Sequence, residues 1–422
     1  MHNETPDVVI IGGGVIGLAC GLALQHAGRQ VTVLEAGVAG CGSSHGNCGT
    51  ITPSHAMPLA GPGTVARAVR WMLTPDAPLY VRPRLDPLLW AWLLQLAGRC
   101  NTTDWLDAGK AKAAILMASR QQLSDWIARY QLDCEFAAIG TDHVFRSEAA
   151  LVAFDRDLPV LADLGIASEH IGGPHYLLQE PSVREGVVGA VHFPGDASLR
   201  PDRFVAELAR ALREEGGRIV EHCPVDGVSG RGDAMRVHAA GATYEARDVV
   251  LAVGAWSPRL GRALLPGLDV LRRVMQPGKG YSITYDRPVL TPRRPLVLHE
   301  RSVCVTSWEH GFRLGSTMEF SGYDASLNRR RLDALERGAR EYLREPTGAT
   351  VTEEWYGWRP MTSDDLPIIG AVPGQPHLWL ATGHGMLGVS MSATTAELIA
   401  HLITGRAPPI DPAPYRLERF PA

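Results

Sequence analysis

Gly12, Gly14 and Gly17 form a Gly-x-Gly-x-x-Gly turn, and Glu35 follows further along the chain. These types at this spacing can hold an ADP group. Gly12 permits a tight turn, Gly14 lets backbone approach a pyrophosphate, and Gly17 allows a helix to pack close to a strand. Glu35 can accept hydrogen bonds from a ribose diol. The elements needed to position them are present. Residues 8–11 are an apolar run of strand length, and Val15 and Ile16 lead into an Ala- and Leu-rich helical stretch over 18–27 that Gly28 ends. A second strand over 31–34 delivers Glu35, with Ala36 directly after it. The helix start offers free N–H groups and a positive dipole end to phosphates. A buried βαβ unit without a ligand does not require all of these features together.

Later segments decide which dinucleotide is expected. A nicotinamide-binding chain would continue with further regular βα units after Glu35. Here the chain enters a small-residue loop over 40–49 (Gly42, Ser43, Ser44, His45, Gly46, Asn47, Cys48 and Gly49), suited to passing close to a pyrophosphate, ribitol or flavin edge. Residues 248–253 read as a buried strand running into a turn at Gly254, and residues 223–228, with Val225, as the strand flanking adenine. Near the C-terminus, His384, Gly385, Met386, Leu387 and Gly388 form a Gly-rich turn before a helix expected over 390–403. Such a turn can stabilise negative charge on a reduced flavin. FAD is the expected cofactor.

Composition bounds the rest. At 422 residues the chain calls for two domains or one elaborated fold. Hydrophobic and charged contents of 45% and 20% are those of a globular protein. A net charge of −4 gives no electrostatic reason to expect nucleic acid. Only three lysines occur (Lys110, Lys112 and Lys279), which reads as codon usage rather than function. The seven cysteines are scattered without a Cys-x-x-Cys pair, which suits a reducing compartment and gives no metal signature. With no signal peptide or membrane-spanning stretch read in the sequence, a cytoplasmic protein is expected.

On these residues the chain resembles the bacterial FAD-dependent D-amino acid dehydrogenases, within the group that includes D-amino acid oxidase, glycine oxidase and sarcosine oxidase. The resemblance spans nearly the whole chain. It is sharpest at residues 42–49 and 51–55, at 71–73 and 77–79, at 279–282 and 313–320, at Gly357-Trp358-Arg359-Pro360, and at 383–388. It implies an α/β fold: a two-dinucleotide-binding-type FAD domain with two excursions into a mixed, largely antiparallel substrate domain. The expected division is 1–85 with 195–272 and 352–422 for FAD, and 86–194 with 273–351 for substrate.

Oxidising an amino acid at Cα requires its carboxylate to be held in a fixed orientation, which a planar guanidinium does and a lysine point charge does not. Arg359 matches the Gly-x-Arg-Pro segment that supplies the carboxylate-binding arginine in D-amino acid and glycine oxidases, with an inter-domain ion pair as its other reading. Tyr281 is expected as a pocket wall or an ordinary core tyrosine. His45 and His384 are candidates to touch the isoalloxazine or simply to satisfy loop backbone, and His55 and Trp308 are weaker pocket candidates. Sarcosine-oxidase-type enzymes attach FAD through a C-terminal cysteine. Here no cysteine follows Cys304, so non-covalent FAD is expected. His45, Gly46 and Cys48 stand where these dehydrogenases commonly carry Phe, Ala and Ala; the altered loop is most similar to the branch oxidising D-proline or cis-4-hydroxy-D-proline. The expected electron acceptor is a quinone or another carrier, with O2 and partner subunits of a larger amine dehydrogenase as alternatives.

Periodicity adds a helical pattern over 90–131, a helix over 203–215 ended by Gly216 and Gly217, strands over 281–285, 296–299, 302–308 and 312–315, and a helix over 329–343. The arginines at 329–331 read as a solvated helix start. The apolar stretch 85–96 reads first as a core or domain-interface helix and second as a face for peripheral membrane docking.

Overall fold

The computed structural model describes residues 6–72, 78–231, 234–264 and 268–420. Leu73 and Ala77 of the family-like segments lie outside the described residues. The fold is mixed α/β, built on two main sheets. A six-stranded sheet has the order Ile368–Val372, Gln375–Thr382, Asp248–Leu251, Val8–Ile11, Val31–Leu34 and Arg218–Val220. All neighbours are parallel except the first pair. Its central strands are buried along their whole length, which is why they read as largely apolar runs rather than alternating ones. Helix Val15–His26 packs against helices Pro201–Glu214 and Gly388–Thr404.

A nine-stranded sheet forms the second body. Its order is Val351–Thr362, Met275–Tyr285, Gly311–Phe320, Val303–Trp308, Leu296–Leu298, Thr141–Phe145, Gly189–Phe193 and Glu169–Gly172, with Leu79–Val81 also pairing to Gly311–Phe320. It is antiparallel except where Leu296–Leu298 meets Thr141–Phe145 and where Leu79–Val81 joins. Register sets Ser282, Gly315, Cys304, Val297 and His143 side by side across five strands. A separate three-stranded meander, Val225–Arg231, Ala234–Ala239 and Ala242–Ala246, adjoins the first sheet's core.

Three expectations need correction. The helical pattern over 90–131 is two helices, Pro87–Gly98 and Thr102–Arg129, because the Asn101 side chain accepts the Asp104 N–H at 3.0 Å and starts a new helix. Gln131 lies beyond them at φ 49°. Residues 352–362, grouped by sequence with the FAD part, pair along the whole of Met275–Tyr285 in the nine-stranded sheet. Arg331 is not solvated: it is buried, with its guanidinium over the Tyr80 ring, whereas Arg329 is exposed and bonds Glu354. In the stretch 85–96, Leu89 and Trp92 are core while Leu85, Trp90 and Leu94 are exposed.

Candidate active site

Between the two sheets lies a cavity of about 1420 Å³. Small-ligand clefts run to roughly 1,000 Å³, so it has room for a dinucleotide and a second molecule. At its nucleotide end lie Gly12, Gly14, Val15, Ile16, Glu35 and Ala36. Gly12 is left-handed at φ 108°, and a Cβ there would stand 2.6 Å from the Ala252 carbonyl oxygen. Gly17 does not line the cavity; a Cβ there would lie 1.9 Å from the Gly12 carbonyl oxygen, so its absence lets the helix seat against the turn. At Gly14 nothing stands closer than 3.6 Å to the missing Cβ, leaving open space beside backbone. Glu35 accepts the Gly13 N–H at 2.7 Å and the Gly37 N–H at 2.8 Å. A carboxylate has about four acceptor positions, so it retains capacity for a diol. This cradle fits an ADP moiety.

A second helix start faces the same space. The turn His384, Gly385, Met386, Leu387 and Gly388 lines the cavity and opens helix Gly388–Thr404. His384 is buried and shares a 2.9 Å hydrogen bond with Thr395; burial lowers its pKa to about 3, so the ring is neutral. Gly42, Ser43, Ser44 and Asn47 line the cavity from the loop, and Val225 and Gly254 from the far side. Ser44 Oγ accepts the Val15 N–H at 3.1 Å, and Ser43 Oγ donates to the Trp358 carbonyl at 2.7 Å.

Arg359 sits on Val351–Thr362 with its guanidinium over Gly280 of the neighbouring strand. One nitrogen donates to the Thr317 carbonyl oxygen at 2.6 Å, and the side chain opens onto the cavity. Among the described residues no carboxylate pairs with it. Burial pushes its pKa down. A guanidinium nevertheless keeps its proton, and a desolvated cation without a counter-ion is costly; an incoming anion relieves that cost. Tyr281 borders the cavity, but its side chain packs in the core with Leu335 and Tyr342, and its hydroxyl donates to Glu319 at 3.2 Å, as an ordinary core tyrosine would.

Other expected residues are placed differently. His45 does not line the cavity; it is drawn toward the nine-stranded sheet by a 2.7 Å contact with Glu353, which raises its pKa. Gly49 is also outside the lining: its N–H bonds the Asn47 side chain, and a Cβ there would strike the Leu199 carbonyl oxygen. Arg313 is buried and donates to the His45 and Asn47 carbonyl oxygens at 3.0 and 2.8 Å, so it supports the loop. His55 lines the cavity, whereas Trp308 is buried away from it with its indole on the Leu199 carbonyl. His143 and Cys304 line it too, brought to this face by strand register, and so does His299 of the short helix that follows Leu296–Leu298; sequence did not single them out.

The comparisons agree with a dinucleotide enzyme. Residues 7–402 match the family model described as FAD dependent oxidoreductase, DAO. The D-amino acid dehydrogenase of Cereibacter sphaeroides is 33% identical over 98% of this chain and 95% of its own length. That of Bradyrhizobium diazoefficiens is 31% identical over 98% of each. Glycine oxidase from Geobacillus kaustophilus superposes with a TM-score of 0.76 at 22% identity, covering 99% of both chains. With a glycine cradle, two helix starts converging on one large cavity and a match along nearly its whole length, the chain belongs to the DAO family of FAD-dependent oxidoreductases.

Proposed function

We propose that this enzyme oxidises a D-amino acid to its imine, with D-proline and cis-4-hydroxy-D-proline as favoured substrates giving the cyclic imine, and passes the electrons to a quinone or other carrier. The observation that carries this reading is Arg359, a cavity-facing guanidinium with no carboxylate partner among the described residues. The curated relatives that share nearly its whole length are named D-amino acid dehydrogenase. A bound FAD would supply the two-electron oxidant for the substrate Cα–N bond.

The chain's own residues orient, exclude water and set charge. Arg359 grips the substrate carboxylate and so fixes the direction of the Cα–H bond. Its Thr317 contact prevents the guanidinium from turning. Neutral His384, bonded to Thr395, would add no charge beside a bound flavin, and the N-terminus of Gly388–Thr404 would offer it a positive dipole end. FAD would rest non-covalently on Gly12, Gly14, Val15, Ile16, Glu35 and Ala36, with Ser43, Ser44 and Asn47 over it. Val225 would lie beside the adenine. The exposed Leu85, Trp90 and Leu94 support a peripheral membrane contact for reaching a quinone.

The test is an anaerobic screen of the holoenzyme for loss of flavin colour with D- and L-amino acids, including the stereoisomers of proline and 4-hydroxyproline. Bleaching by D-proline or cis-4-hydroxy-D-proline ahead of the acyclic D-amino acids is expected. Bleaching by L-substrates alone overturns the assignment, and stoichiometric peroxide in air moves the enzyme to the oxidases.

A further inference from the structure

Cys48 and Cys304 come from distant parts of the chain and meet on the wall of the cavity. Cys304 pairs across strands with Gly315, and a Cβ on Gly315 would lie 2.4 Å from Cys48 Sγ. The Cys48 thiol therefore occupies the space left by a missing side chain next to Cys304. The Thr306 hydroxyl pins the loop there by donating to the Cys48 carbonyl oxygen at 2.8 Å. The environments of the two thiols differ. The neighbouring Cys304, with the charges of Arg313 and Arg359, lowers the Cys48 pKa against the opposing effect of burial, and Cys48 together with burial raises that of Cys304. One sulfur is prepared as a nucleophile and the other held as a thiol.

We propose that Cys48 and Cys304 are a redox modification site that reacts with a hydroperoxide and closes to a disulfide across the cavity wall. The Cys48 thiolate attacks one peroxide oxygen; the O–O bond breaks, hydroxide leaves, and Cys48 becomes a sulfenic acid. The Cys304 sulfur then attacks the Cys48 sulfur, the S–O bond breaks, and the departing hydroxide takes the Cys304 proton as water. With hydrogen peroxide, two thiols lose two electrons and one peroxide becomes two waters. The oxidant reaches both sulfurs through the cavity that they line.

The holoenzyme is reduced, desalted, treated with graded hydrogen peroxide, and its thiols are then alkylated for peptide mass spectrometry. The expected product is a linked pair of peptides containing Cys48 and Cys304, reversed by dithiothreitol. Cys304→Ser should stop at a Cys48 sulfenic acid trapped by dimedone. Cys48→Ser should slow thiol loss at Cys304 by at least about tenfold. The proposal is overturned if both thiols survive peroxide that has already oxidised the exposed Cys41, or if Cys304 is lost equally fast without Cys48. The linked-peptide measurement on the unaltered protein decides the matter even if a variant fails to fold.

Discussion

Gly280→Ala moves the Arg359 guanidinium without altering its charge. The backbone at Gly280 is strand, paired with Gly357, and has no positive φ to be strained by a side chain. A methyl there would stand 2.5 Å from Arg359 Cζ and Nη2 and 2.9 Å from Nε. Ordinary contact begins at 3.4 Å, so the guanidinium must retreat by about 0.9 Å. It is the end of a flexible chain, and the fold can accommodate that move. A misplacement of about 1 Å in a positioning group costs on the order of 100-fold in rate, about 2.7 kcal/mol at about 1.36 kcal/mol per tenfold. The assay is kcat/KM with a dye acceptor, alongside FAD content and Tm. The expected result is a loss of about 100-fold with flavin content intact. A folded, flavin-loaded Gly280→Ala enzyme with wild-type kcat/KM would refute the placement of the substrate carboxylate at Arg359.

Other outcomes follow from the same geometry. Arg359→Lys keeps the charge but loses the planar fork, and should lower kcat/KM by roughly 3–5 kcal/mol while FAD content stays normal. Acid or heat denaturation should release free FAD into the supernatant; flavin that stays with the precipitated polypeptide contradicts non-covalent binding. Lys112 bonds Asp365 at 2.7 Å with both side chains buried. Lys112→Ala leaves that carboxylate unpaired and should cost about 3–5 kcal/mol in denaturant unfolding, whereas a change under 1 kcal/mol would mean that water reaches it. The His45–Glu353 pair raises the His45 pKa and lowers that of Glu353. The raised histidine contributes below its ordinary 6.5 and loses that contribution as pH rises through its folded value; the depressed glutamate contributes above its ordinary 4.5 and loses that as pH falls through its folded value. The Tm gap between the native protein and Glu353→Gln should therefore be widest between pH 5 and 6.5 and shrink toward pH 9. The His45 pair is part-exposed, so the part of the gap that changes with pH corresponds to less than about 1 kcal/mol, while the 3.3 Å contact of Glu353 with buried Arg313 adds a part that persists at pH 9.

What could be read in advance was local. The unit from Gly12 to Glu35 is continuous in sequence, and each glycine's task follows from its spacing, so the structure seats them as the spacing requires. Arg359 was accessible through a short motif. His45 was misplaced because the direction of a loop side chain is set from elsewhere, here by Glu353, with Arg313 holding the loop carbonyls. Cys304 and His143 gave no signal at all. Their position beside the cavity follows from the register of strands that are far apart in sequence. Arg331 escaped for a similar reason: the first turn of its helix is covered by Tyr80 from a strand near the start of the chain.

The six-stranded sheet also has a consequence for biosynthesis. Strand Asp248–Leu251 lies between Val8–Ile11 and Gln375–Thr382, and helix Gly388–Thr404 lies against Val15–His26. A nascent chain therefore cannot finish its nucleotide cleft until residues 375–404 leave the ribosome. Until then one side of Asp248–Leu251 is an unpaired apolar edge, the kind of surface that recruits other chains. Loss of even the final helix strips cover from the helix that opens the glycine turn at the other end of the polypeptide. Flavin loading must wait for residues 375–404, and a chain cut before them should yield aggregates rather than a colourless soluble fragment.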